Sequence, residues 1–250
     1  MKRLATHLYS APPPLLSFLL SRFYLAKFVR KSSRFNWNQI AELVDFAYQF
    51  NVASPIRRFS LFNLQITPLQ VKEEITQLLE LLREREPRIL MEIGTALGGT
   101  LFLFCQIAAN DATIISIDLP HGRFGGGYPN WKIPLYKAFA RTGQRMYLLR
   151  ADSHNPDTLR EVREILKDRR LDFLFIDGDH TYEGVKKDFE MYSPLVRRGG
   201  IIAFHDIVEH PPEVGCEVSR FWREIKKDYN HLEIVKDWGQ KWAGIGVLYV

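Results

Sequence analysis

Arg88-Ile89-Leu90-Met91-Glu92-Ile93-Gly94-Thr95-Ala96-Leu97-Gly98-Gly99-Thr100 runs an apolar segment straight into a glycine-rich turn, and apolar residues at helical spacing follow. That order predicts a buried strand feeding a helix. Two more strand-like runs break in the same manner at polar residues. Leu171–Ile176 runs into Asp177-Gly178-Asp179-His180, and Gly200–Phe204 runs into His205-Asp206. Ligands of open α/β sheets bind in the crevice outside the carboxyl ends of the strands, so these three endings are expected to meet in space.

Outward from the first run, strands and helices alternate. Strands are expected at Thr113–Asp118 and Arg145–Arg150, with helices at Thr100–Ala109, Lys132–Thr142, Asn155–Lys167 and Tyr182–Val196. Repeated βα units at this spacing predict a parallel, Rossmann-like doubly wound sheet with right-handed crossovers. After a helix over Val214–Tyr229, the last two runs, Leu232–Val235 and Gly244–Val250, are too close for a helical crossover and should pair antiparallel. The expected fold class is therefore α/β, five parallel strands ending in an antiparallel β-hairpin. Ahead of it, Thr67-Pro68-Leu69-Gln70 reads as a capping box opening a helix that Pro87 ends.

A chain of 250 residues can hold one large α/β domain with an extension. Its charge is unevenly placed. Residues 1–60 carry nine basic residues against Glu42 and Asp45, a net +7, which leaves −2 on the remainder of a chain that totals +5. The division drawn from this is a basic helical extension over 1–60 and the sheet domain over 61–250. Nothing in the sheet domain's charge supports nucleic-acid binding. Cys105 and Cys216 lack metal-ligand spacing and fit a reducing, cytoplasmic setting.

In the extension, Pro12-Pro13-Pro14 precedes Leu15, Leu16, Phe18, Leu19, Leu20, Phe23, Leu25 and Phe28, with Arg22, Lys27, Arg30 and Lys31 interspersed. The run is too short and charged to cross a bilayer and lacks a signal-peptide cleavage site. Two roles stay open for residues 1–35: packing on the main domain or a sister subunit in a homo-oligomer, or peripheral contact with a membrane surface. A second extension helix is expected from Asn36 to Phe50.

The glycine loop is neither the dinucleotide fingerprint G-x-G-x-x-G nor a P-loop, since it lacks the lysine. Gly94 suits a sharp turn, while Gly98 and Gly99 would let a ligand approach the backbone at the helix start. Pro120–Pro134, with Gly125-Gly126-Gly127, Tyr128 and Trp131, is long for an α/β connection and reads as a lid or substrate loop. Trp238, Gln240 and Trp242 offer a second aromatic wall.

E-I-G-T-x-x-G-G-T over Glu92–Thr100 resembles the cofactor loop of class I S-adenosylmethionine-dependent methyltransferases. Ile176–Asp188 together with Gly199–Asp206 is similar to the branch holding the cephalosporin-hydroxylase-like and macrocin-type O-methyltransferases. The resemblance covers residues 65 to 250. It implies that Glu92, Gly94, Thr95 and Gly98 line the methionine part of the cofactor, that Asp118 takes the ribose hydroxyls, and that Asp152 and Ser153 meet the adenine. It also implies a divalent metal, Mg²⁺ or Mn²⁺, on Asp177 and Asp206. His205 stands where the family most often has a carboxylate, a departure that turns preference from Mg²⁺ toward softer ions or withdraws that position. Asp179 and His180 are the candidate general bases, with helix capping near Thr181 as the alternative for either.

The expected function is transfer of a methyl group to a small-molecule hydroxyl. Two other readings stay open: a nucleotide-dependent oxidoreductase or hydroxylase on the same sheet, and a non-catalytic assembly module retaining the fold.

Overall fold

The computed structural model describes residues 14–33, 39–53 and 64–250; Pro12, Pro13, Arg34, Trp37 and the other residues between lie outside it. In chain order the helices are α1 (Pro14–Ser32), α2 (Ile40–Gln49), α3 (Lys72–Arg83), α4 (Gly99–Ile107), α5 (Ile133–Lys137), α6 (Pro156–Leu166), α7 (Tyr182–Tyr192) and α8 (Val218–Ile225). The strands are β1 (Asn51–Val52), β2 (Leu64–Gln65), β3 (Ile89–Ile93), β4 (Thr113–Ile117), β5 (Arg145–Leu149), β6 (Leu171–Ile176), β7 (Val196–His205), β8 (Asn230–Ile234) and β9 (Ile245–Tyr249). β1 and β2 form a small antiparallel pair of their own.

The main sheet has seven strands in the order β5-β4-β3-β6-β7-β9-β8. The first five are parallel, as expected. β9 runs antiparallel to both neighbours and sits between β7 and β8, so the expected hairpin forms with its second strand inside the sheet and its first at the edge. The sequence carries the reason, because Asn230–Leu232 of β8 are exposed while Ile245–Leu248 of β9 are buried.

Alternation along the central strands sends side chains to two cores. Leu90, Phe173, Phe175, Ile201 and Ala203 face one, which they share with α1 to α5. Met91, Ile93, Leu174, Ile176, Ile202 and Phe204 face the other, which α6, α7 and α8 cover. This two-sided cover is why the strands read as continuous apolar runs. α1 and α2 belong to the first core, with Tyr24 and Leu43 wholly buried, so the charge boundary near residue 60 is not a break in packing.

Three helices differ from expectation. α3 begins at Lys72 with Val71 ahead of it, not at the Thr67-Pro68 cap, because Pro68 lies against Gly99 and the Gln70 amide is engaged elsewhere. α5 is confined to Ile133–Lys137 after a 3-10 turn at Asn130–Lys132. α8 starts at Val218 since Gly215, at φ 69°, breaks the chain before it. The asparagine cap of α6 is confirmed, Asn155 accepting from Asp157 N.

Candidate active site

β3, β6 and β7 end side by side, which brings the three polar endings together. Gly94, at φ 100°, is the hinge of the first. A β-carbon there would stand 2.0 Å from the Asp177 carbonyl oxygen, so the closeness of the first and second turns requires glycine. Gly98 and Gly99 serve differently from expectation. The space their missing side chains leave is filled by the Tyr136 ring and by the Ile66–Pro68 backbone, not held open for a ligand.

Glu92 is sealed inside, accepting hydrogen bonds from Thr100 Oγ1 at 3.0 Å and Ser116 Oγ at 2.8 Å. Burial pushes its carboxyl up to about 8 against those two bonds. Thr95 pairs its hydroxyl with Ser116. Asp118, at the end of β4, accepts from the backbone N–H groups of Thr95 at 3.1 Å, Ala96 at 2.7 Å and Gly127. Burial raises its pKa to about 6 although those bonds favour the charge. The first side of the crevice is thus a carboxylate tying the glycine loop to the loop after β4, and its floor is lined by Gln70, Gly94, Thr95, Ala96 and Asp177. Asp152 and Ser153, expected near an adenine, lie beyond the end of β5. Asp152 is exposed and accepts from His154 N, while the Ser153 carbonyl takes the Tyr192 hydroxyl.

The second side is a cluster of acids and imidazoles. Asp177, His205 and Asp206 bring their donor atoms within 4.8 Å of one another, which joins all three expected metal-site residues. His205 Nδ1 is 3.2 Å from Asp177 Oδ1 and 3.4 Å from Asp206 Oδ1. Gln70 donates from Nε2 to Asp177 Oδ2 at 2.8 Å, and Ala243 N donates to Asp206 Oδ1 at 3.1 Å. Asp206 takes a left-handed φ of 65°. Burial works against both carboxylates' charge, but the neighbouring imidazoles, His205 foremost, hold their pKa values below the ordinary range.

The two candidate bases part company. Asp179 accepts from Thr181 N at 2.9 Å and Thr181 Oγ1 at 2.8 Å; Thr181 in turn caps α7, so the capping alternative describes Asp179. His180 enters the cluster, with Nε2 3.4 Å from Asp177 Oδ1 and Nδ1 3.2 Å from Asp206 Oδ2. Its ring stacks on Phe124 from the long loop after β4, at 4.8 Å and 15°. Burial opposes the charged ring, but bonds to Asp177 and Cys216 and the two carboxylate charges carry its pKa to about 10.

Some participants are invisible in a reading by motif. Gln70 was legible only as a cap. Cys216 sits in the loop before α8, packed against the second core, and its thiol hydrogen-bonds to His180 and His210. The hint was the run His205, His210, Cys216 behind one strand, whose spacing matches no compact ligand motif. Glu74, fully buried on α3, accepts from Lys236 N, Gln240 Nε2 and Gly244 N and so fixes the loop bearing Trp238 and Trp242, both of which stay exposed.

In strand order, glycine loop and the buried acid at the end of β4 the chain resembles the class I S-adenosylmethionine-dependent methyltransferases. Residues 91–207 match the family model Methyltransf_24, described as a methyltransferase domain. Two curated relatives are the uncharacterized protein y4gI of Sinorhizobium fredii, 31% identical over 144 residues, and the uncharacterized protein R132 of Acanthamoeba polyphaga mimivirus, 30% identical over 145. These alignments take in 56% and 57% of this chain but only 15% and 63% of the relatives, so the chain spans less than two thirds of either. Among solved structures, the O-methyltransferase TomG of Streptomyces achromogenes, in complex with SAM, is similar in fold. It is 18% identical, with 86% of this chain and 91% of TomG aligned at a TM-score of 0.51.

Proposed function

We propose that the chain is an S-adenosylmethionine-dependent O-methyltransferase acting on a small-molecule hydroxyl, with a divalent cation held by Asp177, His205 and Asp206. The observation that carries this reading is the convergence, at adjacent strand ends, of the glycine loop and Asp118 on one side and that cluster on the other. TomG, similar in fold, is described as an O-methyltransferase in complex with the same cofactor.

The residues suit the cofactor on chemical grounds. An ionised carboxylate offers about four acceptor sites, and Asp118 uses three on backbone N–H groups, leaving one for a ribose hydroxyl once the Gly126–Gly127 turn moves aside. When bound, the sulfonium supplies the electrophilic methyl group. The chain's own work is to place an acceptor oxygen in line with it and to exclude water, with Phe124 and its loop as cover. The donor set of Asp177, His205 and Asp206 fits a divalent ion, whose charge lowers the cost of an oxyanion. Gln70 and Ala243 N hold the two carboxylates in place.

Release of S-adenosylhomocysteine in the presence of a panel of hydroxyl acceptors tests the reading. Turnover with at least one acceptor, abolished by chelation and restored by Mg²⁺ or Mn²⁺, is expected. Binding of a nicotinamide nucleotide instead would favour the oxidoreductase reading, and no cofactor binding at all the assembly module.

A further inference from the structure

We propose that His180, Asp206 and Cys216, with His210 beside them, form a site for a thiophilic divalent transition metal of the zinc class. This set differs in donor chemistry from Asp177, His205 and Asp206, though the two share Asp206.

The donor atoms of His180, Asp206 and Cys216 lie within 4.8 Å of one another. His180 Nδ1 is 3.2 Å from Asp206 Oδ2, and His210 Nε2 is 3.3 Å from Asp206 Oδ1. The Cys216 thiol hydrogen-bonds to both imidazoles. Donors held about 2.0 to 2.1 Å from a tetrahedral ion stand roughly 3.3 Å apart, a spacing that the His180–Asp206 and His210–Asp206 separations each match. His210 is also oriented for ligation. Its Nδ1 lies 2.9 Å from the Val208 carbonyl, which takes the ring N–H and leaves the Nε2 lone pair facing Asp206.

Thiolate and imidazole donors together select zinc-like ions over Mg²⁺, which demands oxygen ligands. Two imidazoles, one carboxylate and one sulfur would complete a four-coordinate shell. Cys105 cannot contribute, because it is buried in α4 among apolar residues. The proposal concerns cation binding alone, so it stands or falls separately from cofactor binding.

Titrating the chelator-treated full chain with Co²⁺, a spectroscopic stand-in for zinc, tests it. One equivalent should give the intense visible bands of four-coordinate cobalt and a near-ultraviolet thiolate-to-cobalt charge-transfer band. Zn²⁺ should displace the cobalt, and a large excess of Mg²⁺ should not. Cys216→Ser should abolish the charge-transfer band, and His210→Ala should weaken binding by about ten- to a hundredfold. Should either variant misfold, the wild-type spectrum still decides, since Cys216 is the one accessible cysteine. Absence of cobalt binding, binding without the thiolate band, survival of the band in Cys216→Ser, or displacement by Mg²⁺ each overturns the proposal. S-adenosylhomocysteine affinity measured on the same preparation reports separately on the methyl-transfer reading.

Discussion

Glu92 and Asp118 show how two buried carboxylates at neighbouring strand ends take different tasks. Glu92 has its bonds inside the sheet and a pKa near 8, against an ordinary 4.5. Between those values the folded chain keeps a proton that the unfolded chain has released. The stabilising contribution is therefore full below about 4.5 and lost as pH rises through about 8. Thermal melts from pH 5 to pH 8.5 should show Glu92→Gln losing less stability over this range than the parent; equal slopes would contradict the assignment. Asp118 instead joins two loops by backbone bonds. Asp118→Asn should lower S-adenosylhomocysteine affinity on the order of ten- to a hundredfold, as expected for a charge-assisted bond of roughly 1.5 to 3 kcal/mol. Unchanged affinity by titration calorimetry would remove Asp118 from the ribose site. At the metal cluster, Asp177→Asn should abolish the response of activity to chelation and Mg²⁺ or Mn²⁺ while sparing cofactor affinity, because the charge lost lies on the β6 side of the crevice.

At the scale of elements, α1 is an outer helix with an inner task. Phe28 is buried and meets the rings of Phe46, Phe50, Phe102 and Phe139, which tie α1 to α2, α4 and the turn after α5. Phe28→Ala should cost about 3 to 5 kcal/mol in denaturant unfolding; a loss below about 1 kcal/mol would mean that α1 docks without holding the core. Leu15, Phe18, Leu19 and Val29 lie exposed on its other face. No described helix is long and apolar enough to cross a membrane. The central strands β3, β4 and β6 were legible because each is buried nearly throughout and runs into glycine or aspartate. Helix starts were less so. Thr67-Pro68 has every local mark of a cap, but the contact of Pro68 with Gly99 and the pull of Asp177 on Gln70 are long-range and leave no local trace. Likewise Asp177, His205 and Asp206 could be read from strand endings, whereas Cys216 and His210 reach the cluster by a loop path that periodicity does not encode. The loop after β4 meets the cluster through Phe124, which stacks on His180. Phe124→Ala should raise the KM for the acceptor and leave cofactor affinity unchanged.

Across the whole molecule, helices on both sides of one sheet leave a polar edge at the strand ends, where Gly94, Thr95, Asp118, Asp177, His205 and Asp206 lie together. The sheet ends in β9 and β8, so Glu74 of α3 can reach the loop between them and, through Ala243, steady Asp206. The cofactor, cation and acceptor sites we propose would thereby be fixed to one frame. The most direct measurement is isothermal titration of the full chain with S-adenosylhomocysteine, run beside nicotinamide adenine dinucleotide. Saturable one-to-one binding of the first, with no heat from the second, is the predicted result; nicotinamide nucleotide binding, or no binding of S-adenosylhomocysteine, would contradict the account.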